Sequence, residues 1–367
     1  MESHLFTYTN YTSERNSNFY NIFSIKNKTC FNLMGKNKLN SKSISFFIYP
    51  LFFVGLIPYS IFKLISNRKV KTYIVLFPGL LEILLLKVFQ PIFGYSIIYD
   101  MFTSFHLTLV EDRQLVKRGS FLEKIIIALD RLFFTLPDKL IFETVEMKDY
   151  VETFLDKNKT KSLVLTSYRE LPIGLELTKS ASKNDNKTVT FWGSFERMHG
   201  LDTILDAAII LGDRYQFILI GDGSYYENIK KRVLHEQIKN VKLTGYLAND
   251  STKKNNLYTY ITNADICLGT FSNTRKNNLV IPGKVVEAFL FKKPVITADT
   301  MYMRNNCYDS AYLVEPDSPQ DLSKSIEILA NDRPKIESII VNSQKYYKFN
   351  HTKEYFYKNL IKFLEIK

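Results

Sequence analysis

The sequence predicts an α/β protein built from two doubly wound parallel-sheet domains. Its 367 residues suffice for two ordinary domains that each bury a core. Short β-branched runs alternate with helical patterns, which is typical of parallel strands joined by right-handed crossovers. Runs such as FILI are apolar throughout, as expected for strands covered by helices on both faces of a sheet.

The C-terminal half shows the alternation most clearly, with strand-like runs at 189–192, 216–220, 241–244, 264–268, 294–298 and 311–314. Between the first two runs, LDTILDAAIIL has a helical apolar face formed by Leu201, Ile204, Leu205, Ala208 and Leu211. The N-terminal half has weaker strand-like runs at 73–77, 95–99, 139–143 and 162–166. Both halves therefore predict parallel α/β domains.

A polar stretch at 176–187 lacks periodicity and predicts a linker between the halves. We therefore expect an N-terminal domain at 1–177 and a C-terminal domain at 178–348. The tail at 349–367 reads as an amphipathic helix, with Phe356, Leu360, Phe363 and Leu364 on one face.

Composition and charge limit the function classes. Apolar residues make up 46% and charged residues 23%, a globular composition that excludes wholesale disorder. The net charge of +12 predicts a negatively charged partner. Because no run of five or more basic residues and no zinc-finger, RNP or KH pattern occurs, nucleic acid is not the expected partner, and anionic lipid or a phosphorylated substrate is favoured. The three widely spaced cysteines indicate a reducing compartment, and their spacing from the five histidines predicts no metal site.

The run at 44–65 is apolar and uncharged apart from Lys63, and its length is near that needed to span a bilayer, about 20 residues. Pro50, Gly55 and Pro58 interrupt it, which a lone spanning helix tolerates poorly. The alternatives are a buried helix–turn–helix and an interfacial segment whose nearby cations meet anionic headgroups, namely Lys63, Arg68, Lys69 and Lys71. A mixture of these two is favoured, so we expect a cytoplasmic protein held peripherally on the inner membrane face.

Two junctions between a strand and a helix predict phosphate binding in the C-terminal domain. In FWGSFERMHGLD the strand ends at Gly193, where backbone N–H groups are open to an anion. In VIPGKVVEAF, Pro282 and Gly283 precede a helix whose free N–H groups favour a diphosphate, and Lys284 adds a positive charge. Glu287 lies one turn further on, where it could accept bonds from ribose hydroxyls.

The tripeptide Gly221, Asp222 and Gly223 follows the strand FILI, and it suits a tight turn at the edge of the sheet where ligands of open α/β folds bind. Each of these features, taken alone, is also common as a plain turn or a solvated helix residue. Their order and spacing together carry the prediction.

The segments GSFERMHGLDTILDAA, FILIGDG, VKLTGYL, ADICLG and IPGKVVEAFLFKKPVITAD together resemble the donor-binding domain of family 4 glycosyltransferases. Weaker similarities in the N-terminal half are SERN at Arg15, VLFPG and YDMFTSFHLTLVEDRQLV, which resemble a bacterial subgroup acting on lipid-linked or cell-surface glycans. The resemblance implies the GT-B fold, in which two Rossmann-like domains face each other across a cleft. It also implies transfer with retention of configuration and without a metal.

Site residues follow from the resemblance. Glu287 matches the glutamate that contacts the nucleotide ribose, although Leu279 stands where many members have a first glutamate. Ser194 and His199 occupy positions at which many members place an arginine and a lysine against the diphosphate. Lys284 matches the helix-start lysine of a subgroup and is expected to meet the charge on the leaving diphosphate.

In the N-terminal half, His106 is the candidate for the histidine that many members place near the donor sugar. The acceptor side is assigned to Asp100, Asp112 and Arg113, with a plain Asp112–Arg113 surface pair as the equal alternative.

The predicted function is retaining glycosyl transfer from a UDP- or GDP-sugar to a lipid-linked or oligosaccharide acceptor during surface polysaccharide synthesis. No cofactor is expected beyond the nucleotide sugar, which is a substrate. A sugar-nucleotide epimerase of the same fold and a catalytically inactive glycosyltransferase-like subunit are the alternatives.

Overall fold

The computed structural model describes residues 3–7, 13–23, 28–30, 57–153, 161–171, 175, 187–248 and 256–365. The chain forms two compact units. The first comprises Met1–His106, Val116–Tyr168 and Lys353–Lys367, and the second comprises Leu107–Leu115 and Arg169–Thr352.

The first unit contains a parallel sheet with the strand order β2-β1-β3-β4-β5-β6 among its described residues. The strands are β1 (Ser3–Thr7), β2 (Lys28–Cys30), β3 (Thr72–Leu76), β4 (Ser96–Met101), β5 (Lys139–Phe142) and β6 (Lys161–Val164). Its helices are α1 (Glu14–Ile22), α2 (57–66), α3 (Leu80–Phe93), α4 (Phe121–Thr135), α5 (Val145–Glu152) and the C-terminal α14 (Lys353–Glu365).

Helices α1 and α14 cover one face of this sheet. Phe19 of α1 packs edge-on against Phe356 of α14 with ring centroids 5.0 Å apart, and both lie in one core with Ile74, Ile98 and Ile141 of the strands. Because parallel strands are joined by right-handed crossovers, the helices that follow β3, β4 and β5 lie on the opposite face. The sheet is therefore covered on both sides, as doubly wound folds require.

The second unit contains a parallel sheet with the order β12-β11-β10-β7-β8-β9. Its strands are β7 (Lys187–Trp192), β8 (Tyr215–Ile220), β9 (Val241–Gly245), β10 (Ile266–Leu268), β11 (Val295–Ala298) and β12 (Tyr312–Val314). Its helices are α6 (Leu201–Leu211), α7 (Tyr226–His235), α8 (Leu257–Asn263), α9 (Arg275–Leu279), α10 (Gly283–Leu290), α11 (Met301–Asn306), α12 (Pro319–Asn331) and α13 (Arg333–Asn350). The order reverses between β7 and β10, and such switch points form the ligand crevice of open α/β sheets.

The predicted fold class is confirmed. All ten predicted strands overlap observed strands, and α6 covers the predicted LDTILDAAIIL. The sequence interpretation missed β1, β2 and α1, because SHLFT and KTC are short and partly polar and α1 has no apolar periodicity.

Domain limits differ from the expected ones. The units separate between Tyr168 and Arg169, and α14 belongs to the first unit because its four predicted apolar residues are all buried there. Residues 44–56 of the apolar run and 176–186 of the expected linker lie outside the described residues, whereas 57–65 falls in α2. Among helices with described positions, none combines the length and apolarity needed to cross a bilayer.

Candidate functional site

The two predicted phosphate-binding junctions meet at the carboxyl end of β7. Helix α10 starts at Gly283 with Pro282 as its N-cap, and Lys284 stands in its first turn. The Lys284 ammonium lies 4.4 Å from the centroid of the Phe191 ring, and a Cβ atom added to Gly193 would lie 3.3 Å from its Nζ. The structure thus brings Lys284 against the Gly193 loop, 91 positions earlier in the sequence, so that both junctions form one site.

Lys284 has a pKa well below that of an ordinary lysine. The residue is 8% exposed, and burial lowers the pKa of its amine from 10.5 to about 7, against a smaller opposing effect of Glu287. A buried amine at the positive end of a helix is costly to charge unless an anion is near. The site therefore favours an anion that restores the proton to Lys284, and a diphosphate fits this requirement.

His199 lies beside this amine and has a defined tautomer. Its Nδ1 bonds the backbone carbonyl of Ser194, and a carbonyl only accepts, so Nδ1 carries the proton. Burial first and the charge of Lys284 second hold the pKa of His199 well below its usual value of 6.5. In the neutral ring Nε2 is an acceptor, so His199 would donate to a phosphate only after it takes up a second proton.

The loop after β8 packs closely against the loop after β7. Gly221 has a φ of +143°, and a Cβ atom there would lie 1.8 Å from the Gly193 carbonyl oxygen. The Phe195 amide donates to the Asp222 carbonyl at 3.0 Å, and a Cβ on Gly223 would lie 2.6 Å from the Phe195 nitrogen. Only glycine permits this close approach, so the GDG turn fixes the position of the Gly193 loop.

Glu287 stands one turn after Lys284 on α10. The Trp192 indole N–H donates to its Oε2, and the Arg169 Nε lies 3.8 Å from its Oε1. Arg169 also covers the start of α10, because a Cβ on Gly283 would lie 2.8 Å from its Nη2. A second cation therefore flanks the helix start at which the diphosphate is expected.

Sequence reasoning missed Phe191, Trp192 and Arg169 as site residues. Phe191 and Trp192 read as strand residues, although an aromatic pair next to Gly193 is a usable signal. Arg169 lies in none of the motifs quoted above, and nothing in its local sequence distinguishes it from a solvated arginine.

Residues 175–346 match the family model described as glycosyl transferases group 1. The matched residues make up most of the second unit. The predicted family resemblance is thereby confirmed for the half of the chain in which it was strongest. Comparison with curated proteins gave no match.

Solved structures similar to the whole chain share its GT-B fold. HepE from Anabaena in complex with UDP has 13% identity and a TM-score of 0.68, with 99% of each chain covered. Sucrose-phosphate synthase from Thermosynechococcus elongatus has 13% identity and a TM-score of 0.71, covering 99% of this chain and 88% of that one. The lipopolysaccharide outer core galactosyltransferase WaaB has 14% identity and a TM-score of 0.64 over 100% of both chains. At such identities the likeness establishes the fold alone.

The remaining predicted site residues are His106, Asp100, Asp112 and Arg113. In the first unit, the His106 Nε2 lies 2.8 Å from the Glu123 Oε1, and the backbone N–H groups of Phe105 and His106 donate to the Asp130 carboxylate. The Glu123 carboxylate thus orients the His106 imidazole. Its assignment near the donor sugar stays a prediction.

Asp100 takes part in a buried ion pair. Arg15, from the SERN segment, bonds both Asp100 oxygens at 2.5 and 2.9 Å, and Arg15 also lies 3.7 Å from the Glu143 carboxylate. Asp100 has no exposed surface, so a direct contact with an acceptor would require this pair to open.

Asp112 ends the π-helical turn His106–Asp112 and forms its ion pair with Lys276 of α9, at 2.8 Å. The alternative of an Asp112–Arg113 surface pair is therefore wrong, because Asp112 is buried against Lys276 while Arg113 is exposed. The second carboxylate oxygen of Asp112 is buried without a hydrogen-bond partner in the described part of the chain. The acceptor-side roles of Asp112 and Arg113 stay predictions.

Proposed function

We propose that the protein transfers a sugar from a nucleotide-sugar donor to a glycan or lipid-linked acceptor. One observation carries the proposal: the Lys284 amine is buried at the N-terminus of α10, against the Gly193 loop. Lys284 and the free N–H groups at the start of α10 would stabilise the negative charge on the departing diphosphate. Arg169 would add to the same positive field.

The same groups support transfer without a metal, since the protein itself would supply the cation that the leaving diphosphate requires. Retention of configuration rests on the family resemblance. Ser194 and the backbone around Gly193 would contact the phosphates, and Glu287 would accept bonds from the ribose, with its orientation set by the Trp192 indole.

The donor proposed is a UDP-sugar, with a GDP-sugar as the alternative. HepE was solved with UDP, with UDP and glucose, and with UDP-glucose, and WaaB is a lipopolysaccharide galactosyltransferase. Their similarity supports a role in surface polysaccharide synthesis. A lipid-linked acceptor would place the enzyme peripherally on the inner face of the cytoplasmic membrane.

A panel of UDP- and GDP-sugars tests the proposal through donor hydrolysis, measured as release of free nucleotide. We expect release from one UDP-sugar to exceed that from the other donors. If the protein binds UDP but releases nucleotide from no donor, the inactive-subunit alternative is favoured. Leu279, in place of the first glutamate of many family members, is the sequence feature that supports this alternative. A changed sugar on an intact donor would favour the epimerase.

Replacing Glu287 with glutamine is expected to weaken UDP binding by on the order of 1.5–3 kcal/mol, because a charged acceptor for the ribose hydroxyls is lost. Glutamine keeps an oxygen that accepts from the Trp192 indole, so the fold should persist. Isothermal titration calorimetry measures the affinity, and Glu337→Gln on the exposed side of α13 is the matched control. Equal UDP affinities in the two variants would remove Glu287 from the donor site.

A further inference from the structure

Helix α4 of the first unit presents an apolar face to solvent. Large apolar side chains are exposed at Phe121, Leu122, Ile125, Leu129 and Leu132, and Phe121 is 78% exposed. These residues recur at helical spacing, so they form one stripe rather than scattered positions. Exposed apolar stripes of this kind mark interaction surfaces.

The charges of α4 are sorted by sign. Its two carboxylates face the protein, where Glu123 binds the side chain of His106 and Asp130, which is buried, accepts from the Ser104 hydroxyl. Its two cations, Lys124 and Arg131, are exposed. The solvent face of α4 therefore carries the apolar stripe, and its charged side chains, Lys124 and Arg131, are both cationic.

Helix α3 extends this surface. Leu84, Val88 and Ile92 are exposed at intervals of four residues along it. Because the β3–α3–β4 and β4–α4–β5 crossovers are both right-handed and run in the same direction, α3 and α4 lie side by side on one face of the sheet. We call the exposed residues of these two helices the α3–α4 surface.

We infer that the α3–α4 surface docks on an anionic lipid bilayer, with its apolar side chains in the interface and Lys124 and Arg131 against the headgroups. This assignment rests on the proposed membrane-associated function and deepens it, since it places the contact on helices outside the 44–65 run. Apolar side chains bordered by cations are what interfacial helices use on anionic membranes. A second copy of the chain fits less well, because a symmetric pairing would bring these cations toward each other.

Co-sedimentation with phosphatidylethanolamine vesicles, with and without phosphatidylglycerol, tests the inference on the full chain. We expect wild-type protein to bind the phosphatidylglycerol vesicles and to be released by salt, since headgroup attraction is screened within about 10 Å at 0.1 M ionic strength. Phe121→Ser with Leu122→Ser, and separately Lys124→Glu with Arg131→Glu, should each weaken vesicle binding at least about tenfold.

Matched controls lie in the second unit. Phe349→Ser removes a phenylalanine that is 74% exposed on α13, and Lys230→Glu with Lys231→Glu reverses two exposed lysines of α7. All variants should keep the wild-type circular dichroism spectrum and urea unfolding transition, which shows that both units fold, and they should keep wild-type UDP affinity.

If the α4 variants bind vesicles as well as the controls do, the α3–α4 surface is not the membrane contact and the inference is overturned. Membrane association of the protein would remain supported in that case. A wild-type protein that binds neither kind of vesicle would overturn both, and donor hydrolysis would still decide the transferase activity. A dimer in light scattering that dissociates on Phe121→Ser with Leu122→Ser would assign the surface to a second copy instead.

Discussion

Replacing Lys284 with alanine is expected to lower the turnover of the nucleotide-sugar donor by about 10²–10³-fold, the usual effect of removing one donor aimed at developing charge. The amine is buried beside the Gly193 loop and at the start of α10, so alanine at this position removes the cation that lies against that loop. Steady-state kinetics measures kcat, and Lys324→Ala on the exposed side of α12 is the matched control. Near-normal turnover in a folded Lys284→Ala protein would refute the assignment.

The protonation of Lys284 gives this prediction a second readout. The pKa of the free amine is about 7, and a bound diphosphate should raise it. UDP binding should therefore take up a proton at pH 8 and far less at pH 6, and the affinity should fall as the pH rises from 7 toward the pKa of the bound amine. Calorimetry in two buffers of different ionisation enthalpy measures this uptake. Lys284→Ala should abolish it, and uptake that persists in the variant would assign the proton to another group.

The Arg15→Ala substitution is expected to lower the free energy of unfolding by about 3–5 kcal/mol, because it leaves a buried carboxylate without its partner. Arg15 is 2% exposed, bonds both oxygens of Asp100, and lies near Glu143. Burial raises the pKa of Asp100 and Arg15 opposes that rise, so the carboxyl of the variant should hold its proton to higher pH. The variant should accordingly lose less stability at pH 5 than at pH 8.

Urea denaturation monitored by circular dichroism measures the loss. Arg333→Ala is the matched control, because Arg333 is 89% exposed and its ion pair with Glu337 spans one turn of α13. Such surface pairs contribute less than about 1 kcal/mol. A loss in Arg15→Ala no greater than in Arg333→Ala would show that the buried pair does not hold the first unit together.

Local patterns determined much of this protein from the sequence alone. The strands of both sheets were predictable because an apolar run covered on two faces needs no distant partner to be recognised. Lys284, Gly193 and Glu287 are predicted as donor-site residues because a phosphate site requires a glycine or a free helix start directly after a strand, at fixed short spacing. The short strands β1 and β2 were missed because they have no periodicity of their own.

Only the tertiary structure decided which of these residues work together. Lys276, the partner of Asp112, is 164 positions away in the chain, and Arg169 reaches the start of α10 from outside every motif. The tautomer of His199 and the lowered pKa of Lys284 arise from burial and from neighbours that packing assembles. Short-range patterns determine the backbone because hydrogen bonding and side-chain periodicity are local. Charge states and ion pairs depend on desolvation and on distances through space, and these exist only once the chain has folded.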